Sequence, residues 1–383
     1  MQVLHGKGFW RIVSKYDGDR YSKKLTCSQE LTILLYSLIK DLSSFRDIQT
    51  GLKTHMEKWP HMGIQTVAKS TLSDALARRP YQIFEELFYR FLEKCHQHTN
   101  GHSFRVKVPV FTQDATLISL CLSSFNWAKY RKRKGALKLH MLLDHDGCLP
   151  SFIRMTNGKV HEIRVVKDAD YDFPVLPPDS ILTIDRGYMD YTWLYSLAGQ
   201  GTTFIIPAKC NMAYQVVGQH EKPNQKRGIL SDQVIEFTNF YEQKSYPERI
   251  RLIRYRYIDT KGQEQEIEVL TSNMKLAATT IAALYKGRWE IESFFRWIKQ
   301  NLKIKSFYGT SENAVMTQVW VAMILYLLLS FIKFQTRYGY SMLDLLRVIR
   351  ERILGFESLL ELLRVNYERL KSHRSFGVQM AFY

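Results

Sequence analysis

Residues 285–299 read Tyr285-Lys286-Gly287-Arg288-Trp289-Glu290-Ile291-Glu292-Ser293-Phe294-Phe295-Arg296-Trp297-Ile298-Lys299. At about 100° per residue, Tyr285, Arg288, Glu292 and Lys299 share a stripe roughly 60° wide on one helix. Ile291, Phe294, Phe295, Ile298 and Leu302 form an apolar face beside that stripe, which predicts one continuous helix mounted on a core with its polar side turned to a cleft. Charges at this spacing also suit a solvated face held by internal ion pairs. A single carboxylate, with a guanidinium one turn before it and an ammonium two turns after, suits equally a metal site facing a phosphodiester.

Upstream of the helix the pattern is β. Val110 to Leu120 and Leu137 to Leu143 read as strands, followed by a turn at Asp144-His145-Asp146-Gly147 and a third strand from Leu149 to Met155, the Asp-Gly pair being the hairpin signal. Ser180-Ile181-Leu182-Thr183-Ile184-Asp185 is a short apolar run closed by a carboxylate, as expected of a buried strand whose C-terminal end opens on a site. A helix is predicted from about Tyr191 to Ala198. Short β-like runs recur at Phe204–Pro207, Val234–Phe237, Ile250–Ile258 and Glu266–Leu270, around a polar stretch from Gly218 to Gly228.

Before residue 104 and after Ala277 the period is helical. Gly63-Ile64 leads into Val67 to Leu76 and ends at Arg78-Arg79-Pro80, a turn and basic helix that fit a DNA-reading helix-turn-helix and a plain helical hairpin about equally. The apolar run Val319 to Ile332 is too short for an unaided bilayer crossing and is expected as a buried core helix. No membrane association is expected.

The chain has 383 residues, with 54 Lys and Arg against 37 Asp and Glu, a formal charge of +17. That excess is spread along the sequence and points to a polyanionic partner. The run Trp127 to Lys134 places Lys129, Arg131, Lys132, Arg133 and Lys134 among two aromatics, either a loop or hairpin tip on a DNA backbone or a solvated basic loop. Five cysteines without a C-x2-C pair, and an N-terminus with no apolar signal core, fit a reducing cytoplasm. Cys95, His96 and His98 lack a second ligand pair and are expected as ordinary helix residues.

The spacing Y-x2-R-x3-E-x6-K carried by Tyr285, Arg288, Glu292 and Lys299 resembles the YREK motif of the insertion-sequence-four family of bacterial transposases. Phe111-Thr112-Gln113-Asp114-Ala115-Thr116 and Ile184-Asp185-Arg186-Gly187-Tyr188 resemble the regions of that family's first and second catalytic Asp. The resemblance implies an α/β fold with a ribonuclease-H-like core, a mixed sheet flanked by helices, in which Asp114 lies on the first strand and Asp185 just after the fourth. It also implies a β-rich insertion between Asp185 and Glu292, with helical segments at both ends. The expected division is a helical DNA-binding segment 1–100, core segments 101–200 and 277–335, an insertion 201–276, and a C-terminal segment 336–383 for dimerisation and DNA contact.

By the same resemblance Asp114, Asp185 and Glu292 are the catalytic metal ligands, for Mg²⁺ with Mn²⁺ as a substitute, since three hard carboxylates suit those ions rather than zinc. Two such ions roughly 3.5–4 Å apart can activate an attacking hydroxyl and stabilise the leaving oxygen. Arg288 and Lys299 are expected on phosphates, and Tyr285 on a phosphate or a distorted base. The implied activity is metal-dependent cut-and-paste transposition: end hydrolysis, a hairpin intermediate and strand transfer. Its partners would be the element's terminal inverted repeats and target DNA, bound by a homodimer in the bacterial cytoplasm and nucleoid without a nucleotide cofactor. Hairpin-forming members stack a flipped base on a Trp of the insertion, yet no Trp lies between Trp193 and Trp289; Tyr241, Tyr246, Tyr255 or Tyr257 are the available stacking residues. A catalytically idle DNA-binding repressor and a ribonuclease-H-like nuclease are the competing readings.

Overall fold

The computed structural model describes residues 4, 6–65, 67–99, 101–131, 134–259, 262–304 and 306–353. Lys132, Arg133 and the C-terminal stretch from 354 onward therefore lie outside the described residues. Two compact units arise, one within Met1–Asn100, Ser119–Gly135 and Arg296–Tyr383, the other within Gly101–Ile118 and Ala136–Phe295.

The first unit is mainly helical. Its N-terminal part runs α1 (Lys7–Lys15), α2 (Cys27–Ile39), α3 (Phe45–Lys53), α4 (Trp59–Met62), α5 (Lys69–Arg78) and α6 (Gln82–His96). A capping box at Thr26 and Gln29 starts α2, and Gly63, with φ of 64°, ends α4 in the left-handed conformation that glycine adopts without steric cost. Asn313 ties the α5–α6 junction down: its side-chain amide donates to the carbonyls of Leu76 and Arg79, and its oxygen accepts from the Tyr81 amide. The predicted core helix is here as α12, described below, and Trp320 on it packs on Phe88 of α6 with ring centroids 5.3 Å apart. Cys95 is buried on α6 and its thiol donates to the Leu327 carbonyl, an ordinary packing role.

The strands are, in chain order, β1 (Val110–Leu120), β2 (Lys129–Arg131), β3 (Lys134–Asp144), β4 (Leu149–Asn157), β5 (Ile181–Ile184), β6 (Thr203–Pro207), β7 (Tyr214–Gln219), β8 (Ile229–Phe237), β9 (Ile250–Ile258) and β10 (Glu264–Thr271); all but β2, the end of β1 and the start of β3 belong to the second unit. The hydrogen-bonded order is β2-β3-β1-β5-β6-β10-β9-β8-β7, with β4 paired to β3. β1, β5 and β6 run parallel at the centre. The helices α7 (Glu162–Lys167), α8 (Tyr191–Gly199), α9 (Phe240–Ser245), α10 (Ala278–Gly287) and α11 (Trp289–Asn301) follow in chain order, then α12 (Glu312–Thr336) and α13 (Met342–Arg352) in the first unit.

Alternation along the central strands divides the core in two. Phe111, Leu182, Ile184, Phe204 and Ile206 join one cluster with Leu194 and Leu197 of α8. Val110, Ile181 and Ile205 join another with Ile281, Leu284 and Tyr285 of α10. A parallel strand buried on both faces reads as an unbroken apolar run, as Ile181 to Ile184 does.

Three expectations change. The helix expected through 285–299 breaks at Arg288, where α10 ends and α11 begins; the Arg288 and Ile291 amides bond to Tyr285 and Arg288 carbonyls three residues back, rather than four. Gly287, a weak helix former, sits at the break, and a Cβ there would come within 2.3 Å of the Phe104 ring. Asp185 follows the fifth strand rather than the fourth, because Lys129–Arg131 pairs with the start of β3 as a short additional strand. The β segment is also not set apart from the sheet: β6 continues the parallel centre and β10 pairs with it antiparallel. β7 and α9 were not expected; β7 is exposed along most of its length and so carries no alternating pattern to read.

Candidate active site

The register of β1 and β5 assembles the site. Val110 pairs with Ile181, Thr112 with Thr183 and Gln113 with Ile184, so Asp114 and Asp185 come next on two adjacent parallel strands. Neighbouring strands lie about 4.8 Å apart, and with a period of two both Asp fall on the parity of Val110 and Ile181, the face that α10 covers.

Each Asp is fixed from behind. Asp185 caps the 3-10 turn Arg186–Tyr188, its Oδ1 accepting the Gly187 amide at 2.8 Å. A Cβ at Gly187 would stand 2.5 Å from Glu162 Oε2 and 3.0 Å from Asp185 Oδ1, so a larger residue there would displace these carboxylate ends. Tyr188 is fully buried, and its hydroxyl accepts from Gln113 Nε2 at 3.3 Å. The Asp-Arg-Gly-Tyr block is thus a local fold that locks the second carboxylate to the strand carrying the first. Asp114 Oδ1 accepts the amide of Ala115 at 2.7 Å.

The break between α10 and α11 brings Arg288 over these carboxylates. Its guanidinium lies 2.8 Å from Glu292 Oε1 and 3.4 Å from Asp114 Oδ2. Burial raises the Asp114 carboxyl to about 7, and the charges of Asp185 and Glu292 push the same way, against the Ala115 amide and Arg288. Three carboxylates that feel one another's charge leave a surplus of negative charge at the site, against which Arg288 supplies one positive charge. Its Nε is buried without a hydrogen-bond partner.

This donor set fits a hard divalent ion: oxygen ligands only, mutual repulsion to be relieved, and one loosely held guanidinium beside them. Among the described residues the carboxylates are not drawn within 4.8 Å of one another; the His/Cys/Asp/Glu group that is so close is His220, Glu221 and Asp232. That group is a poor metal site, because both oxygens of Asp232 accept from Arg251 at 2.8 and 2.7 Å and Glu221 is exposed. The donor chemistry outweighs proximity here.

Tyr285 is buried beside Arg288, whose guanidinium lies 5.7 Å from its ring centre. Tyr255, Tyr257, Tyr285 and Trp289, with Arg227, Arg256, Lys286 and Arg288, line a cavity of about 390 Å³. Of the tyrosines considered for stacking, Tyr246 is packed in the core with Phe237, and Tyr241 is exposed on α9. Lys299 lies on the part of α11 that belongs to the helical unit, half-buried. Lys129 is exposed on β2, Arg131 and Lys134 occupy strand positions, and Lys132 and Arg133 lie outside the described residues. Asp144 and Asp190 take local roles, accepting from the Asp146 and Trp193 amides.

Two residues near the site were not singled out from the sequence. His145 lies in the turn after β3, and its Nδ1 meets Glu290 Oε2 at 2.9 Å. The Asp-Gly signal marks that turn but says nothing of where its histidine points.

Residues 109–328 match the family described as Transposase DDE domain, over half of the chain. A putative transposase of Sinorhizobium fredii is 32% identical over 261 residues, 67% of this chain and 69% of that protein. The chain belongs to the DDE transposases. Other similar DDE transposases are of insertion-sequence type. A probable transposase for the element IS5377 of Geobacillus stearothermophilus is 29% identical over 88% of this chain and 85% of its own length. A putative transposase for the element IS4SA of a Synechocystis strain is 23% identical over 79% and 82%. Residues 1–65 match a domain of unknown function, DUF4372. A piggyBac transposase in a synaptic complex with hairpin DNA aligns with a TM-score of 0.47 at 10% identity, covering 96% of this chain and 84% of that one; a likeness of that size decides nothing further. DDE transposases in general use divalent metal ions, and the carboxylate set described above fits one.

Proposed function

We propose that this transposase is of the insertion-sequence-four, YREK type and moves its element by cutting and pasting. In this reading Asp114, Asp185 and Glu292 are the catalytic ligands of Mg²⁺, with Mn²⁺ able to replace it. The observation that carries it is the parallel register of β1 and β5, whose last paired residues, Gln113 and Ile184, are followed directly by Asp114 and Asp185, with Arg288 bridging Asp114 to Glu292. A ribonuclease-H-like core is supported by the strand order: leaving out β2, the run β4-β3-β1-β5-β6 keeps a hairpin on one side of β1 and parallel strands on the other.

The bound metal would lower the pKa of a water or DNA 3′-hydroxyl and stabilise the leaving oxygen. The chain's own residues do the rest. Asp114 gives up its proton to become a ligand, which its raised pKa makes a pH-dependent event. Arg288, freed from the carboxylates, turns its forked donors to a phosphate near the scissile bond. Lys299, Lys129, Arg131, Lys132, Arg133 and Lys134 would contact the DNA backbone.

A hairpin intermediate is supported by the cavity beside Arg288. Tyr255, Tyr257 and Trp289 offer ring faces and Arg227, Arg256 and Lys286 offer charge, so a base flipped from the transposon end finds stacking without a tryptophan from the insertion. The helical residues 1–100 would read the terminal inverted repeats, with α5 presented after the turn at Gly63. A homodimer would pair the two ends.

The test is product analysis. Purified protein is incubated with Mg²⁺ and linear DNA carrying both flanks of its gene. Nicks at the element boundary that convert to hairpins, then to double-strand ends, are expected. Specific binding without any cut would leave a repressor, and cutting without preference for the ends would leave a nuclease.

A further inference from the structure

A chain of buried polar side chains links the three elements that carry the carboxylates. Thr112 on β1 and Thr183 on β5 are register partners, each two residues before an Asp, and their hydroxyls lie 2.6 Å apart. Thr112 Oγ1 lies 2.7 Å from His145 Nε2, and His145 Nδ1 lies 2.9 Å from Glu290 Oε2 in the first turn of α11. The His145 side chain is almost wholly buried, while that of Glu290 is 49% exposed.

A carboxylate only accepts, so Nδ1 donates to Glu290. The Thr183 hydroxyl lies 3.3 Å from the Phe111 carbonyl, to which it can donate, and 2.6 Å from Thr112. The contacts of Thr112 with Thr183 and with His145 Nε2 complete the chain in either direction of donation. His145 is held on its other sides as well. Its amide donates to the Val110 carbonyl at 3.0 Å, and the Phe104 ring stands edge-on at 5.1 Å while also filling the space left by Gly287.

Packing alone would be served as well by apolar residues, since a buried hydroxyl or imidazole costs free energy unless every bond is made. What the polar chain adds is direction. Through one histidine it ties the β1–β5 pair, beside Asp114 and Asp185, to the first turn of α11, which carries Glu292.

We propose that His145 is a positioning residue for the metal site, joining β1, β5 and α11 through Thr112, Thr183 and Glu290 so that three carboxylates converge on one ion. The proposal rests on the reading of Asp114, Asp185 and Glu292 as ligands. Removing such an outer partner costs on the order of 10–100-fold in metal affinity.

Mn²⁺ binding to the full-length protein without DNA, read from the loss of the free-ion electron paramagnetic resonance signal, tests it. Asp114→Asn, Asp185→Asn and Glu292→Gln serve as references. Glu290→Ala removes the half-exposed end of the chain and is expected to weaken Mn²⁺ binding about tenfold or more, with His145→Ala behaving alike. Thr112→Val should do the same while Thr112→Ser, which keeps the hydroxyl, restores binding to within about threefold of wild type. Affinity for end DNA without metal should stay within about twofold in all four. If His145→Ala fails to fold, the Glu290 and Thr112 variants decide the matter. Mn²⁺ binding unchanged in Glu290→Ala, or Thr112→Ser as weak as Thr112→Val, overturns the proposal. Mn²⁺ binding retained by all three carboxylate references overturns the parent reading instead, and the proposal with it.

Discussion

Two buried arginines, each facing carboxylates, are finished to very different degrees. Arg251 on β9 is fully buried and bonds through all three of its nitrogens: Nε and one terminal nitrogen grip both oxygens of Asp232, and the other reaches the carbonyls of Asn273 and Leu276. Arg288 bonds Glu292 at 2.8 Å, approaches Asp114 at 3.4 Å and meets the Tyr285 hydroxyl, and its buried Nε has nothing to bond. Charge-assisted bonds of this kind usually measure about 2.7–2.9 Å. A completed pair holds a fold. An incomplete one, set among more carboxylates than it can neutralise, can exchange its partners, and the difference separates the structural part of the sheet from the part that is poised for chemistry.

Arg251→Ala should give the largest effect, leaving Asp232 buried and unpaired and lowering stability by about 3–5 kcal/mol, measured by urea unfolding. Arg288→Ala should reverse that balance. Its stability should change by no more than about 1 kcal/mol, because Asp114 can hold a proton in place of the ion pair, while end cleavage falls about 10²–10³-fold. Comparable loss of stability in both variants would erase the distinction between the two arginines.

The pH dependence sharpens it. Asp114 has its carboxyl raised from 3.8 to about 7, chiefly by burial, so the folded state binds a proton that the unfolded state gives up. Stability therefore falls as pH rises from about 4 to about 7 and stays at the lower level above. Asp114→Asn should flatten that slope. Mg²⁺, which favours the ionised carboxylate, should raise the melting temperature more at pH 8 than at pH 5, and chelation should remove the gain. Gly287→Ala should also lower stability by only about 1 kcal/mol, measured by urea unfolding, since a better helix former offsets part of the clash with Phe104.

β5 is legible because it is short, apolar and closed by a carboxylate, and β1 because Val110–Leu120 is a long β-prone run; both strands lie within a residue of the expected Val110–Leu120 and Ser180–Asp185. Arg288 and Glu292 stand 2.8 Å apart even though the helix breaks between α10 and α11, since a spacing of four keeps residues close whether or not a helix is continuous. The break at Arg288 was not legible, because helical periodicity tolerates a single 3-10 step and the cause, Phe104 against Gly287, lies far away in sequence. The same is true of His145. A lone histidine in a turn has no period, and its partners Thr112 and Glu290 stand 33 and 145 residues away. β7 was missed because an exposed strand shows no alternation.

The most direct test of the account measures end cleavage and end binding side by side for the wild type and for Asp114→Asn, Asp185→Asn and Glu292→Gln, in Mg²⁺ and in Mn²⁺. The account predicts that all four proteins bind the element's ends with similar affinity and that only the wild type cuts them. Cutting by any one of the three variants at near wild-type rate would contradict it.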